Sequence, residues 1–379
     1  MGLDFLHGLA TFGIIPFLIV LTIVVFFHEF GHFLVARWCG VKVVTFSIGF
    51  GPELFGFNDR HDTRWKVCAV PLGGYVKFFG DDNAASVPDQ AAAAAMSEAE
   101  RRVSFVHQRV GPRAAIVVAG PIANFILSVV IFAGIFMSFG RQVMPARVDE
   151  VQPGSAAAAA GLMPGDLIVA IDGRPIGSFS DMQRIVAGSS GRTLTLTIDR
   201  GGAREDIRAT PNARGFCNAV LGISKRSTDV KFEIASPPTA LALGVQETYY
   251  VIERSLCFVT GVIVGRESAN QLGGPIKIAE VAGDAWKAGL DSGGIATAIA
   301  YLLNLSAFLS ASIGLLNLFP IPLLDGGHLL FYAIEALRGR PLSERAQEVG
   351  LRIGFAIVVM LMIFAAYNDI SGILHRPVS

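Results

Sequence analysis

Four long apolar stretches limit this chain to a small set of folds. A helix needs about 20 apolar residues to cross a bilayer, because it rises about 1.5 Å per residue across a hydrocarbon core of about 30 Å. Residues 14–35, 114–139, 298–319 and 353–367 meet or approach that length, and the last stretch is the shortest. The mean hydropathy of +0.53 is also too high for a soluble domain of 379 residues. The sequence predicts an α-helical polytopic membrane protein with about four transmembrane helices.

The basic residues predict which side of the membrane each connection faces. Residues 37–113 contain ten lysines and arginines, residues 338–352 contain four arginines, and residues 1–13 contain neither. Because cytoplasmic connections carry the excess of Lys and Arg, we place residues 37–113 and 338–352 inside. Residues 140–297 and both termini are then predicted on the outer, periplasmic side of the inner (plasma) membrane. The first stretch lacks a basic start and a small-residue cleavage site, so we expect a retained helix rather than a removable signal peptide.

Net charge and cysteine spacing argue against two other classes of protein. The formal net charge is zero, so the chain has no basic excess of the kind that binds nucleic acid. The four cysteines, Cys39, Cys68, Cys217 and Cys257, form no C-x-x-C pair and no regular spacing. Neither a zinc knuckle nor a disulfide framework is indicated, and we expect no thiol chemistry.

Two β-rich stretches follow the first apolar one. Residues 41–57 and 64–80 are rich in Val, Phe and Tyr, and a Gly-Gly pair at 73–74 lies in the second, which predicts two strands and a hairpin. We expect this β element to lie against the membrane on the cytoplasmic side. Residues 83–100 are alanine-rich and polar, which indicates a flexible excursion or a weak surface helix. Further along, residues 240–264 are amphipathic and predict an interfacial helix.

The segment between the second and third apolar stretches has the order of elements found in a PDZ domain. It contains V-D-E-V-Q-P-G-S-A at 148–156 and A-G-L-M-P-G-D-L-I-V-A-I-D-G at 160–173, then a helix-like stretch at 180–186 and a strand at 193–199. The Ala-Gly-Leu, Gly-Asp-x-Ile and Asp-Gly elements together resemble that family. The alternative is an unrelated small β-rich domain. A PDZ fold implies a sheet edge beside a helix that accepts an extended peptide or a chain end.

The first apolar stretch contains a complete H-E-x-x-H motif, His28-Glu29-Phe30-Gly31-His32. Two histidines four residues apart differ by about 40° around a helix, so both imidazoles can face one ion. Glu29 is offset by about 100°, which leaves its carboxylate beside the metal, where it can take a proton from water. The alternative is that these side chains extend to the membrane interface, but three titratable groups in five residues at this depth are costly without a function.

A third ligand must come from elsewhere, because a catalytic zinc usually has three protein ligands and one open position. The best candidate is Asp325, in the segment N-L-F-P-I-P-L-L-D-G-G-H that ends the third apolar stretch. Pro320 and Pro322 break the helix there, and non-helical backbone at membrane depth is tolerated only where protein or a wet cavity surrounds it. The alternative is that Asp325 caps a helix end.

Together, H-E-F-G-H in the first stretch and N-L-F-P-I-P-L-L-D-G-G-H in the third resemble the site-2 protease family of intramembrane metalloproteases. The bacterial RseP-type branch, the regulator of sigma-E proteases, is the most similar. The motifs F-S-I-G-F-G-P at 46–52, P-L-G-G-Y-V-K at 71–77 and A-G-P-I-A-N-F at 119–125 extend the resemblance over nearly the whole chain. The chain departs from the best-known relatives in having one PDZ-like module rather than two.

The resemblance also implies roles for individual residues. His28, His32 and Asp325 would hold one Zn²⁺ per chain, and Glu29 would be the base that activates water. Asn317 would bind the substrate backbone or stabilise the developing oxyanion, unless it only hydrogen-bonds within its helix. Asn124 of the G-P-x-x-N element would contact substrate or support the site. Gly73, Gly74 and Tyr75 are implied in substrate binding, as part of a hairpin at residues 71–79 that presents a strand edge to the unwound substrate.

The sequence therefore predicts an intramembrane zinc endopeptidase that cleaves transmembrane segments of single-span proteins, such as anti-sigma factors, and signal-peptide remnants. Its other partner is the lipid bilayer, and we expect no nucleic acid. The predicted fold is a polytopic helical protein with a membrane-associated β-hairpin and an inserted PDZ-like α+β domain. The predicted order is a first transmembrane helix at 1–36, a β-rich re-entrant region at 37–113, a second transmembrane helix at 114–139, the PDZ-like domain at 140–224, a connecting region with the amphipathic helix at 225–297, a third transmembrane segment at 298–328, and a cytoplasmic loop with the fourth helix at 329–379.

Two alternatives stay open. One is a membrane zinc peptidase of the H-E-x-x-H type that takes a downstream glutamate as its third ligand, and the Asp325 segment argues against it. The other is a non-catalytic PDZ scaffold that retains membrane proteins. The intact Glu29 argues against a scaffold, because a binding protein has no use for a buried base.

Overall fold

The computed structural model describes residues 13–80, 95–214, 218–224 and 231–374. The helices are α1 (Ile14–Trp38), α2 (Glu98–Val103), α3 (Val110–Ser138), α4 (Ala156–Ala159), α5 (Phe179–Ala187), α6 (Pro237–Ile263), α7 (Pro275–Asn317), α8 (Asp325–Arg338) and α9 (Glu344–Leu374). The strands are β1 (Val43–Asn58), β2 (Arg64–Phe78), β3 (Arg141–Val143), β4 (Glu150–Val151), β5 (Leu167–Ile171), β6 (Arg174–Pro175), β7 (Leu194–Arg200), β8 (Ala203–Ala209), β9 (Asn212–Ala213), β10 (Ala219–Val220), β11 (Ile223–Ser224) and β12 (Lys231–Glu233). The chain divides into unit 1, Met1–Phe132 with Asn270–Ser379, and unit 2, Ala133–Ala269.

The helices α1, α3, α7 and α9 are long and apolar enough to cross a membrane, which confirms four helices of the predicted length and composition. The third differs from its prediction, since α7 begins well before residue 298 and breaks at Gly293 and Gly294. Gly294 has a φ of 75°, a conformation that glycine adopts without a steric penalty, so the chain can turn here. The part of α7 before the break contributes Ala282 to a buried cluster that also contains Leu302 from the part after it.

Unit 1 is built around the packing of α1 against β1, β2 and α3. Buried Phe33 of α1 and Phe46 of β1 have ring centroids 5.7 Å apart, and Trp65 of β2 stacks on Phe46 at 4.3 Å. Ile116 of α3 completes this cluster. Because each fully buried large side chain contributes about 1.5–3 kcal/mol, the cluster fixes the helix that carries the H-E-x-x-H motif.

The strands β1 and β2 pair antiparallel around a turn at residues 59–63, which confirms the hairpin predicted from the two β-rich stretches. The chain reverses within the hairpin predicted at residues 71–79, because residues 64–67 and 74–77 of β2 run in opposite directions along the same residues, 45–48, of β1. The two arms therefore lie on either side of residues 45–48. Gly74 lies at this chain reversal and also allows a close approach. A β-carbon there would lie 2.8 Å from the carbonyl oxygen of Ser47 and 2.9 Å from Cγ1 of Val25, so only glycine lets β2 come this close to β1 and α1.

Non-helical residues 318–324 separate α7 from α8, as the two prolines in this segment predict. Leu323 has a φ of 144°, a strained conformation for a residue with a β-carbon. The connection predicted from residue 329 begins as helix, because α8 continues to Arg338. Gly339, with a φ of 68°, ends that helix in a left-handed cap.

Unit 2 is organised around a four-stranded sheet in the order β6-β5-β7-β8, with neighbouring strands antiparallel. Leu196 and Ile198, alternate residues of β7, are buried in one cluster with Met182 of α5. This alternation is what a strand with one covered face requires. The helix predicted at 180–186 and the strand predicted at 193–199 are confirmed as α5 and β7.

Helix α6 confirms the helix predicted at residues 240–264. Cys257 within it is disulfide-bonded, which the cysteine spacing did not indicate. Cys39 and Cys68 are free, and Cys217 lies outside the described residues.

Only the end of the alanine-rich stretch at residues 83–100 is described. There α2 begins after Ser97, whose side chain accepts a hydrogen bond from the Glu100 backbone N–H while the Glu100 carboxylate accepts one from the Ser97 backbone. This end agrees with the predicted surface helix, and residues 83–94 lie outside the described part of the chain.

Candidate metal centre

Helix α1 carries His28 and His32 on one face, and their Nε2 atoms lie 3.2 Å apart. His32 is buried, and its Nδ1 lies 2.8 Å from the carbonyl oxygen of Ile116 in α3. A carbonyl oxygen only accepts, so Nδ1 carries the proton and Nε2 keeps its lone pair. The two helices approach at Gly120 of α3, where a β-carbon would overlap the His32 ring and lie 2.9 Å from Cε1 of His28. Glycine at this position therefore makes room for both imidazoles.

Asp325 is the first residue of α8, and its carboxylate points at the two histidines. Oδ2 lies 3.2 Å from Nε2 of His28 and 3.5 Å from Nε2 of His32. This oxygen is buried without a hydrogen-bond partner, so it does not cap the helix. Three atoms that each present a lone pair, in one buried and two half-buried residues, cannot satisfy one another, and a cation placed between them does.

The three atoms fit a tetrahedral metal ion. They lie within 4.8 Å of one another, with separations of 3.2, 3.2 and 3.5 Å. Ligand atoms about 2.0–2.2 Å from a tetrahedral zinc are about 3.3–3.6 Å apart. Two imidazoles and one carboxylate, with a fourth position left open, are also the donor types of a catalytic zinc. In the described part of the chain, no second cluster of this kind occurs.

Two asparagines contact the ring nitrogens of His28. Fully buried Asn124 of α3 has its amide nitrogen 3.2 Å from Nδ1, and Asn317 of α7 has its amide nitrogen 3.3 Å from Nε2. A metal on Nε2 leaves the ring proton on Nδ1, and Asn124 accepts that proton through Oδ1 once its amide is turned over. The turn also supplies a partner to Oδ1, which is otherwise buried without one. This placement suits Asn124 to orient His28 rather than to contact substrate.

Glu29 lines a cavity of about 620 Å³ beside the metal cluster. Its carboxylate accepts a hydrogen bond from the backbone N–H of Val76 in β2, which holds it toward that strand. The other predicted site residues that line this cavity are His28, His32, Asp325, Asn317, Gly73, Gly74 and Tyr75. The structure thus gathers the predicted residues at one site, with Asn124 directly behind His28.

The cavity also contains residues that the sequence did not single out. His328 and Tyr332 of α8 and Val358 of α9 belong to its lining. His328 stands three residues after Asp325, so a helix beginning at the aspartate would have placed both on the cavity side. The sequence of α9 carries no comparable signal for Val358.

The sequence match to known proteins covers nearly the whole chain. Residues 16–361 match Peptidase family M50. The chain belongs to this family. A relative named as a zinc metalloprotease in Rhizobium meliloti (strain 1021) is 46% identical over 365 residues, which are 94% of this chain and 95% of the relative. One from Agrobacterium fabrum with the same kind of name is 46% identical over 377 residues, 97% and 98% of the two chains. Metalloprotease MmpA of Caulobacter vibrioides is 40% identical over 378 residues, 94% and 95% of the two chains.

The match confirms the resemblance to the site-2 proteases, which are the M50 family. This M50 protein is a zinc metalloprotease with helices able to span a membrane, so the predicted enzyme class and metal are also confirmed. His28, His32 and Asp325 are the described residues whose placement fits that zinc.

Proposed function

We propose that this M50 protease hydrolyses peptide bonds within the transmembrane segments of single-span membrane proteins. One observation carries the proposal: His28, Glu29 and His32 lie within α1, a helix long and apolar enough to cross the bilayer. Ionisable side chains at such depth are costly and are retained where they have a function. A protease whose catalytic groups lie in the membrane acts on bonds that lie there too.

The proposed chemistry needs a base, a hydrogen-bond donor to the oxyanion and a metal. When bound, zinc supplies Lewis acidity to the scissile carbonyl and to water. Glu29 takes a proton from the attacking water and returns it to the leaving amine as the C–N bond breaks. Asn317, whose amide nitrogen lies 3.3 Å from Nε2 of His28, donates to the oxyanion that forms beside the metal position. The backbone N–H of Val76 keeps the Glu29 carboxylate directed at the cavity.

The substrate must be extended before it is cut, because a transmembrane helix holds its peptide groups in internal hydrogen bonds. In the proposal, an unwound segment enters the cavity and pairs with the backbone of residues 73–75 by strand addition. Exposed apolar side chains of β1 and β2 suit contact with lipid. They are Phe50, Leu54, Phe55, Phe57, Val67, Val70 and Leu72.

The proposed location is the inner membrane, with unit 2 and both termini on the outer side. The ten basic residues in 37–113 support an inner location for that segment. The disulfide at Cys257 supports an outer location for unit 2, because disulfides persist in oxidising compartments. Anti-sigma factors and signal-peptide remnants are the proposed substrates, and single-span proteins of this kind would be presented after their outer domains are trimmed.

Unit 2 is proposed to be the PDZ-like filter of this enzyme. Its sheet and α5 follow the order expected of a PDZ fold, and a groove of about 380 Å³ is lined by Met182 and Val186 of α5 and by Leu221. A filter would exclude substrates that keep bulky outer domains. Deleting residues 147–223 should then permit cleavage of untrimmed substrates, with a trimmed substrate as the control for folding. A deletion variant that cuts the trimmed substrate and still refuses the untrimmed one rejects the filter.

Two variants separate metal binding from chemistry. Glu29→Gln keeps the shape of the side chain and removes the base, so zinc content should stay while cleavage falls on the order of 100 to 10,000-fold. His28→Ala removes a ligand, so zinc and activity should fall together. The measurement is zinc content and cleavage of a single-span substrate in proteoliposomes. A scaffold with structural zinc would keep its function in Glu29→Gln, and a fully active Glu29→Gln protein excludes the proposed mechanism.

A further inference from the structure

Helix α9 contacts the rest of unit 1 through two buried positions. Among its residues with described burial, Gly354 and Asp369 are buried, and the others are half-buried or exposed. The exposed ones include many apolar side chains, as expected of a surface that faces lipid. Two buried positions in a helix of 31 residues indicate that the contacts there have particular tasks.

The first contact joins Gly354 to the loop between α7 and α8. A β-carbon on Gly354 would overlap the carbonyl group of Pro322 and lie 3.1 Å from its Cα. Gly350, one turn earlier, faces the Phe331 ring of α8, and Val358, one turn later, lines the cavity. One face of α9 therefore packs against residues 318–324, the proline loop, and continues to the cavity of the candidate metal centre.

The loop that Gly354 touches leads directly to Asp325. Pro322 lies between two glycines, since a β-carbon on Gly327 of α8 would lie 2.5 Å from its Cα. The next residue, Leu323, has a φ of 144°, and such a conformation costs about 1–3 kcal/mol and persists only where the surroundings enforce it. Two residues later, the carboxylate of Asp325 has to meet two imidazoles within a few tenths of an ångström to share one ion.

We propose that Gly354 is a positioning residue for the metal centre. By packing against the carbonyl group of Pro322, α9 holds residues 318–324 in the strained conformation that directs Asp325 at the histidines. Both surfaces in this contact are backbone, so a side chain on Gly354 displaces the loop instead of rotating out of the way. The proposal rests on the proposed function, because it takes Asp325 as a ligand.

The second contact supplies a matched control. Asp369 accepts hydrogen bonds from the backbone N–H groups of Gly274, Ile276 and Lys277, at 2.8, 3.1 and 3.2 Å, and so caps the start of α7. Asp369→Asn weakens the hold on α9 at this end without touching the proline loop. If α9 acted only as a general brace, loosening either contact would have the same effect on the metal.

The test measures zinc affinity of the full-length protein in detergent, by competition with a chelator, and the visible spectrum after replacement of zinc by Co²⁺. Gly354→Ala should weaken zinc binding about 10–100-fold, as loss of outer support for a metal ligand usually does, and should change the Co²⁺ spectrum. Gly372→Ala places the same substitution on the same helix where nothing lies within 4 Å, so affinity and spectrum should stay at wild type. Asp369→Asn should also keep the wild-type affinity.

Three results would overturn the proposal. One is wild-type affinity and spectrum in folded Gly354→Ala, and another is an equal loss of affinity in Asp369→Asn. Should Gly354→Ala fail to fold, Pro322→Gly loosens the same loop from its own side, and unchanged affinity there is the third. Failure of the proposed function would look different: Asp325→Ala would bind zinc as the wild type does, whatever Gly354→Ala shows.

Discussion

The two units of this protein bury polar side chains in different ways. In unit 1, the Ser310 hydroxyl donates to the backbone carbonyl of Asn124, and the Asn124 side-chain amide contacts His28. On the other side of His28 lies an Asp325 oxygen without a hydrogen-bond partner. In unit 2, buried Asp166 accepts hydrogen bonds from Arg200 at 2.7 and 2.8 Å and from a backbone N–H, so its needs are met within the fold. The unsatisfied Asp325 oxygen lies in the candidate metal centre, where a bound cation would supply its partner. Where the network closes on itself, it stabilises the fold.

Removing the Asp325 carboxylate, the unsatisfied group of unit 1, should have the strongest effect. Asp325→Ala should reduce zinc content and abolish proteolysis while the protein still inserts, because the apolar helices do not depend on a cavity carboxylate. Zinc content and cleavage of a single-span substrate measure this, with membrane extraction as the control for insertion. Full zinc occupancy with wild-type cleavage would exclude Asp325 as a ligand.

A change in the unit 2 core should affect stability and leave the metal alone. Leu196 is fully buried in β7, and Leu196→Ala should destabilise unit 2 by about 2–5 kcal/mol, since the cavity left behind relaxes only in part. Hydrogen exchange of β7 amides in the full-length protein measures the loss. Zinc affinity should equal the wild-type value. A parallel fall in zinc affinity would mean that the unit 2 core also supports the metal centre of unit 1.

Asn124 tests whether the unit 1 network orients a ligand. Asn124→Leu removes the acceptor for the Nδ1 proton of His28 and should weaken zinc binding about 10–100-fold. Asn124→Asp keeps an acceptor oxygen and should retain most of the affinity. Equal losses in the two variants would mean that shape, not hydrogen bonding, matters here. An Asn124→Leu protein with normal zinc affinity and impaired substrate binding would favour substrate contact, the other role that the resemblance implied for Asn124.

Asp166 should contribute to the stability of unit 2 by an amount that is smaller and depends on pH. Hydrogen bonds from the Arg200 guanidinium, helped by the backbone N–H of Met163, hold the pKa of Asp166 below its usual value. A carboxyl group with a lowered pKa stabilises the folded state above its unfolded pKa of about 3.9 and loses that contribution as the pH falls through its folded pKa. Asp166→Asn should therefore destabilise unit 2 by about 1–3 kcal/mol at pH 7, and the difference should shrink below about pH 4. A penalty that does not change with pH would indicate lost packing instead.

The parts of the fold that could be predicted depend on local pattern. The spacing of His28 and His32 fixes their relative direction within one helix, and the prolines fix where α7 ends. The first part of α7 was missed as a helix continuous with the third span because its polar residues, including Lys277, interrupt the apolar run. The Gly-Gly pair at 73–74 correctly indicated a chain reversal, but the close approach of Gly74 to Ser47 and Val25 depends on β1 and α1 and could not be predicted locally.

The remaining site contacts depend on residues far apart in the chain. Nothing local in the sequence indicates that Val76 holds Glu29, that Asn124 meets His28, or that Gly354 backs the proline loop. Each of these contacts forms only when separate helices and strands pack together. The chemistry was therefore predictable from its motifs, whereas the groups that orient it required the tertiary structure.

X-ray absorption at the zinc edge of the purified protein shows whether His28, His32 and Asp325 hold the metal, because it reports the atoms bound to zinc. We expect one zinc per chain with only nitrogen and oxygen neighbours at about 2.0–2.2 Å, two of them imidazoles, and a changed spectrum in Asp325→Ala. A sulfur neighbour at about 2.3 Å, or the same spectrum after Asp325→Ala, would contradict it.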